Sequence, residues 1–214
     1  MEIEIYADVV CPWCYIGKRR LEQALASYDG DVTVRYRPFQ LDPTPVPEPR
    51  PLIDALGDKF GGRARAEQMA AQVTGVAVGA GLTLNFDRAV AANTFDAHRL
   101  IAWATERGRA GEMVDALYRA HFTDGVDVGS RDALAALAGE VGLDTAEARA
   151  FLDSDERVAE VRDELAAARQ LGVTSVPTFV LAGKYAVTGA QEPETLVGAL
   201  EEVRRREAGE SSPN

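Results

Sequence analysis

Cysteine and histidine are scarce in this chain of 214 residues, which has two of each. Two cysteines cannot make the several bridges that staple a small secreted domain. A zinc site needs about four ligands, and His98 and His121 lie far from the cysteines in sequence. Neither a metal nor an organic cofactor is therefore expected. Long apolar runs are missing too: nothing approaches the stretch of about 18 residues that reads as a membrane span. Basic residues are outnumbered, with 23 Lys and Arg against 34 Asp and Glu and a net charge of −11. That balance disfavours nucleic acid and anionic membrane surfaces as partners, and otherwise serves solubility. The opening residues Met1-Glu2-Ile3-Glu4 show neither the basic nor the apolar region of a secretory signal, so a cytoplasmic setting is expected. No internal repeat is visible.

Apolar residues make up 46% of the chain, enough for a full core in one large domain or a domain with an insertion. Both cysteines fall in one tetrapeptide, Cys11-Pro12-Trp13-Cys14. It follows the apolar run Ile3 to Val10 and opens an amphipathic stretch reaching about Tyr28. The pattern is strand, turn, helix, with Cys11 in the first helical turn. Unpaired amide hydrogens and the positive end of the helix dipole favour an anion there, so a lowered thiol pKa and nucleophilic reactivity are expected at Cys11. Two intervening residues set Cys14 one turn below, within reach of a disulfide. Pro12 suits the first helical position, where no amide hydrogen is needed. An ordinary buried pair and a metal site are the other readings. A lone pair at this spacing on a strand-to-helix turn favours a redox dithiol over both.

Along the chain, Ile3 and Ile5 alternate with Glu2 and Glu4 as in a strand. Leu21, Ala24, Leu25 and Tyr28 share one face of the first helix. Val32, Val34 and Tyr36 alternate with Thr33, Arg35 and Arg37 in a second strand, suited to parallel pairing with the first. Five prolines between Pro43 and Pro51 predict a stiff, extended link. From Leu52 to Gln170 helical periodicity dominates. It is seen in Arg63 to Val78, in a segment capped by Asn93 with Asp96 at its third position, around Met113 to Tyr118, in Leu134 to Val141, and in Val158 to Ala168. Leu82 to Phe86 reads as a loop or a short extended link. Strand signals return at Thr178 to Leu181 and Tyr185 to Thr188, joined at Gly183 as a hairpin. A last helix runs from Glu192 to about Glu207.

The resulting order is β-α-β, a helical insertion, then β-β-α. With a Cys-x-x-Cys pair at the start of the first helix, it resembles the thioredoxin fold with a DsbA-type insertion, an α/β architecture, over nearly the whole chain. Residues Asp8 to Lys18, Phe39-Gln40-Leu41-Asp42-Pro43, Asn93 to Leu100 and Val176-Pro177-Thr178-Phe179 resemble the FrnE-like group of DsbA-family oxidoreductases. The order of elements divides the chain into a discontinuous thioredoxin-fold domain at 1–45 and 171–207 and a helical insertion at 46–170, and the polar tail at 208–214 is expected to fray; the resemblance agrees with this division. It implies dithiol–disulfide exchange in which Cys11 attacks and Cys14 resolves. It also implies a cis bond before Pro177, packed on the cysteine pair. The expected partners are disulfide- or thiol-bearing proteins or small thiols, and a cellular thiol reductant. Ser175 stands where many relatives have glycine, which bears on substrate preference. From the residues themselves, Pro177 just before a strand leaves a backbone edge free beside the dithiol, where an extended substrate could pair. Asp8 is read either as a proton relay for Cys14 or as a turn cap. Trp13 is either an apolar platform for substrates or a packing residue. His98 is read as a hydrogen-bonded packing residue in preference to a catalytic one, and Lys18 as a solvated helix residue. Two further functions share this fold or surface. One is a holdase that binds clients without thiol chemistry. The other is the branch of kappa-class glutathione transferase and hydroxychromene carboxylate isomerase, where serine or a similar residue replaces Cys11.

Overall fold

The strand pattern Glu2–Ala7 (β1) turns Ile3 and Ile5 into the core and leaves Glu2 exposed. The computed structural model describes residues 1–210. After β1 the chain enters α1 (Pro12–Ala26) and returns as β2 (Thr33–Pro38), parallel to β1 with Ile3 opposite Val34 and Ala7 opposite Pro38. The proline-rich link carries no regular element apart from an isolated bridge between Pro51 and Val90. Next come α2 (Leu52–Phe60), α3 (Arg63–Gly79), α4 (Phe95–Glu106), α5 (Ala110–Arg119), α6 (Arg131–Glu140), α7 (Thr145–Asp153) and α8 (Val158–Gln170). The hairpin β3 (Thr178–Leu181) and β4 (Tyr185–Thr188) follows, and then α9 (Pro193–Glu210). The sheet order is β2-β1-β3-β4, with β3 antiparallel to both of its neighbours.

Helix α1 packs on α9 and on α3, and α8 crosses β2. One continuous apolar cluster joins sheet and helices, running from Ile3, Ile5 and Phe179 through Cys14 and Ile16 to Leu100, Met113 and Phe122. The cysteine pair thus sits where the sheet meets the helices between β2 and β3. No described helix is long and apolar enough to cross a membrane.

Several boundaries differ from the sequence expectation. Thr94, not Asn93, precedes α4; the Asn93 side chain instead accepts from the Phe95 amide and donates to the carbonyls of Pro43 and Thr44. Helix α7 was not singled out, although Asp144 and Glu147 have the spacing of a capping box, and the Asp144 carboxylate accepts from the Glu147 amide at 2.8 Å. Helix α9 continues through Ala208 to Glu210 rather than fraying at 208, aided by ion pairs from Glu202 to Arg205 and Arg206. The rest of the expected tail, 211–214, lies outside the described residues. A π-helical turn, Ala120–Asp124, extends α5. The Asn85 amide and side chain donate to the Phe122 and Thr123 carbonyls at its end, which have no partner within the helix. Leu82 to Phe86 is a loop, with Leu82, Leu84 and Phe86 buried.

Candidate active site

Cys11 is the N-cap of α1, with extended backbone (φ −97°, ψ 112°) and no side-chain cap. Its carbonyl accepts from the Cys14 amide at 3.0 Å, and its own amide donates to the Asp8 carbonyl at 3.1 Å. Pro12 takes the first helical position, where its missing amide hydrogen costs nothing. Both cysteines are free thiols and both are buried. The Cys11 thiol lies 3.7 Å from the Val176 carbonyl, and the Val176–Pro177 bond is cis. Burial pushes the Cys14 thiol well up, and the adjoining Cys11 adds to the rise; a hydrogen bond from the Asp8 backbone acts the other way. Cys14 is therefore held as a neutral thiol. Trp13, between the two, is 40% exposed, and Leu41 is 46% exposed.

At Gly17 helix α1 lies tightly against Pro177 and against Phe179 of β3. A Cβ there would lie 2.8 Å from Pro177 Cγ and 3.3 Å from Phe179 Cζ. Neither ring is the free end of a flexible chain, so backbone would have to shift. Gly17→Ala is expected to lower stability by about 1–3 kcal/mol, the usual range for overpacking. Chemical denaturation checks this, and a variant within 0.5 kcal/mol of wild type, the scatter of ordinary surface changes at about that size, would show that the contact yields freely.

Below the cysteines lies a buried polar group. Asp8 is 1% exposed, and its Oδ2 accepts from the Leu41 amide at 2.8 Å. Its Oδ1 is 3.3 Å from His98 Nε2, which also stands 3.1 Å from the Phe39 carbonyl. A carbonyl only accepts, so Nε2 carries the hydrogen and shares it between Phe39 and Asp8. The reading of His98 as a hydrogen-bonded packing residue is right as far as it goes, but one of its partners is Asp8. His121, on the π-helical turn, is fully buried, and neither ring nitrogen has a hydrogen-bond partner. Burial pulls its pKa down to about 4, and it stands edge-on to Phe122 with ring centres 4.5 Å apart. Both histidines of the chain therefore lie near Asp8, which is the charged group acting on His121.

Lys18 is not solvated. It is buried and ion-paired with Glu22 on its own helix and with Asp115 of α5 at 2.6 Å. A buried ammonium needs such partners, and only the fold brings Asp115 over α1. Of the residues singled out from sequence, Asp8, Cys11, Pro12, Cys14, Val176 and Pro177 converge on one place, with Trp13 on its rim. The sequence reading missed the tie between His98 and Asp8, the close approach at Gly17, and the burial of Lys18. A glycine one helical turn beyond Cys14 was the available signal for the second.

The sequence profile of the DSBA-like thioredoxin domain matches residues 2–201. A probable DsbA oxidoreductase from Streptomyces coelicolor is 38% identical, with a TM-score of 0.90 over 100% of this chain and 92% of that one. A 2-hydroxychromene-2-carboxylate isomerase shares the fold at 19% identity, with a TM-score of 0.72 over 99% of this chain and 100% of that one. The cytosolic disulfide reductase DsbM from Pseudomonas aeruginosa does so at 24% identity, with a TM-score of 0.64 over 96% of this chain and 99% of that one; a second structure holds glutathione. With the profile spanning nearly its whole length and the same architecture in its solved relatives, the chain belongs to the DSBA-like thioredoxin domain family.

Proposed function

We propose that the chain is a thiol–disulfide oxidoreductase that works through Cys11 and Cys14. The observation that carries this reading is the asymmetry of the pair. Cys11 caps the helix with its sulfur turned to the Val176 carbonyl, while Cys14 is held protonated behind it. Cys11 attacks a disulfide sulfur and forms a mixed disulfide. Cys14 then attacks Cys11, closing the Cys11–Cys14 bond and releasing the second client sulfur as a thiol. A cellular thiol reductant returns the pair to the dithiol. Run in reverse, the same steps oxidise a client, the direction being set by relative reduction potentials; if another client thiol displaces Cys11 from the mixed disulfide, the client disulfide is rearranged instead. Clients are disulfide- or thiol-bearing proteins or small thiols, and an extended client pairs with the backbone at Val176. The glutathione-bound structure of DsbM supports a small thiol among them, and its cytosolic description supports a cytoplasmic setting.

Insulin reduction driven by a small dithiol tests the reading. The wild-type protein should speed it, and Cys11→Ser should fall to the rate of the dithiol alone. Two thiols in place of a serine-based site weigh against the chemistry of the kappa-class glutathione transferase and hydroxychromene carboxylate isomerase branch. If Cys11→Ser protects aggregating clients as well as wild type does and neither reduces insulin, the exposed Trp13 and Leu41 would instead mark a holdase.

A further inference from the structure

The exchange reaction proposed above leaves a question about its second step. Cys14 is neutral and buried, yet it must lose its proton before it can attack Cys11. The Cys11 amide donates to the Asp8 carbonyl at 3.1 Å, and the buried Asp8 carboxylate is among the charges acting on Cys14. That carboxylate has few partners. Oδ2 takes the Leu41 amide at 2.8 Å, and Oδ1 has His98 at 3.3 Å. His98 is in turn fixed by the Phe39 carbonyl at 3.1 Å, which sets its tautomer. Beyond His98 lies a cavity of about 30 Å³, walled by Tyr36, Arg37, Tyr118 and Glu164 among others. Arg37 and Glu164 pair at 3.4 Å and are both partly exposed. The volume exceeds the roughly 10–15 Å³ that one water requires, and the wall supplies polar partners for it.

Resting on the oxidoreductase reading, we propose that His98 is a positioning residue that holds the Asp8 carboxylate ready to take the Cys14 proton. The step balances. The Cys14 S–H bond breaks and its proton goes to Asp8. The thiolate forms the Cys11–Cys14 bond as the Cys11–client bond breaks, and the client thiolate departs with the electron pair. Protonated Asp8 then returns its proton to solvent. In the reducing direction the same groups return a proton to Cys14. The titratable groups around Asp8 are Cys11 and Cys14 from α1, His98 from α4, Tyr118 from α5 and His121 from the π-helical turn. His121 has no hydrogen-bond partner and lacks the contact His98 makes. A purely structural His98 would need only the Phe39 carbonyl; the shared hydrogen to Asp8 is what links it to the thiols.

The test follows release of thionitrobenzoate from a mixed disulfide preformed on Cys11, by stopped flow from pH 5 to 9, in wild type, His98→Leu and His98→Gln. Loss of a positioned proton acceptor costs about a hundredfold or more in other systems. Because Asp8 remains, His98→Leu should slow release about tenfold at neutral pH and move the pH midpoint upward. Its first step, attack of Cys11 on the reagent, should stay within about twofold of wild type. His98→Gln places an amide N–H where Nε2–H stood and should restore both rate and midpoint. Thermal melts are compared in parallel. If His98→Leu releases with the wild-type rate and midpoint, or if both variants slow by the same factor with the midpoint unmoved, the positioning role is wrong. If wild type itself never releases the adduct through Cys14, the oxidoreductase reading fails, and the role of His98 fails with it for that separate reason.

Discussion

Replacing Arg99 by methionine is expected to destabilise the fold by about 3–5 kcal/mol, the range for removing one partner from a buried charged network. Arg99 is 1% exposed and sits one position past His98 on α4. Its guanidinium donates to the carbonyls of Phe151, Leu152, Ser154 and Glu156, where α7 ends, and to Asp96 at 2.7 Å. Those carbonyls include the unpaired ones of a helix C-terminus, where a cation is favoured twice, by hydrogen bonding and by the dipole. The guanidinium also lies over the Phe151 ring at 5.0 Å. Methionine fills much of the volume but satisfies none of the carbonyls. The melting temperature should fall by on the order of 10 °C, at about 2–4 °C per kcal/mol for a chain of this size. Lysine should recover little, because one ammonium cannot reproduce the planar fork. A denaturant midpoint for Arg99→Met close to that of wild type would show that water substitutes freely at these carbonyls.

The second large effect is acid sensitivity carried by His121. Its pKa is about 4 in the folded chain, against about 6.5 for a free histidine. As pH falls below 6.5 the unfolded chain binds this proton before the folded one does, so stability is full above that pH and drains away down to about 4. The loss from this group is on the order of 3 kcal/mol. His121→Leu removes the proton site and two unpartnered nitrogens, so the variant should hold its stability better between pH 6.5 and 4. Carboxylates titrate in both proteins and cancel in the difference. Urea midpoints at four or five pH values would show it. Curves that stay parallel over this window would mean that His121 is hydrated or paired in solution.

The readable parts of this chain were those whose signal is local. Alternation in Glu2 to Tyr6, the Cys-Pro-Trp-Cys tetrapeptide and the break after Gly172 each lie within a few residues and marked the first strand, the start of α1 and the hairpin correctly. The segment Asn93 to Leu100 was visible as a family motif but not as mechanics. The structure shows it tying three places together: Asn93 to the proline-rich link, His98 to Asp8, and Arg99 to the end of α7. Each tie crosses tens of residues, 90 for His98 and Asp8, and no periodicity reports on such a distance. Lys18 fails for a related reason. With Glu22 four residues on, it has the signature of an exposed helix pair, and only the packing of α5 reveals Asp115 above it. The partners of the last carbonyls of the π-helical turn were hidden because Asn85 lies in a loop far from it in sequence.

The proposed division of labour between the two thiols is measured most directly by trapping. Cys14→Ser and Cys11→Ser are each incubated with glutathione disulfide and analysed intact by mass spectrometry, with the adduct mapped by peptide digestion. The account predicts that Cys14→Ser accumulates one glutathione on Cys11, with nothing left to resolve it, while Cys11→Ser stays unmodified because Cys14 is buried and held neutral. Rapid adduct formation on Cys14 in the Cys11→Ser protein, or none on Cys11 in the Cys14→Ser protein, would contradict it.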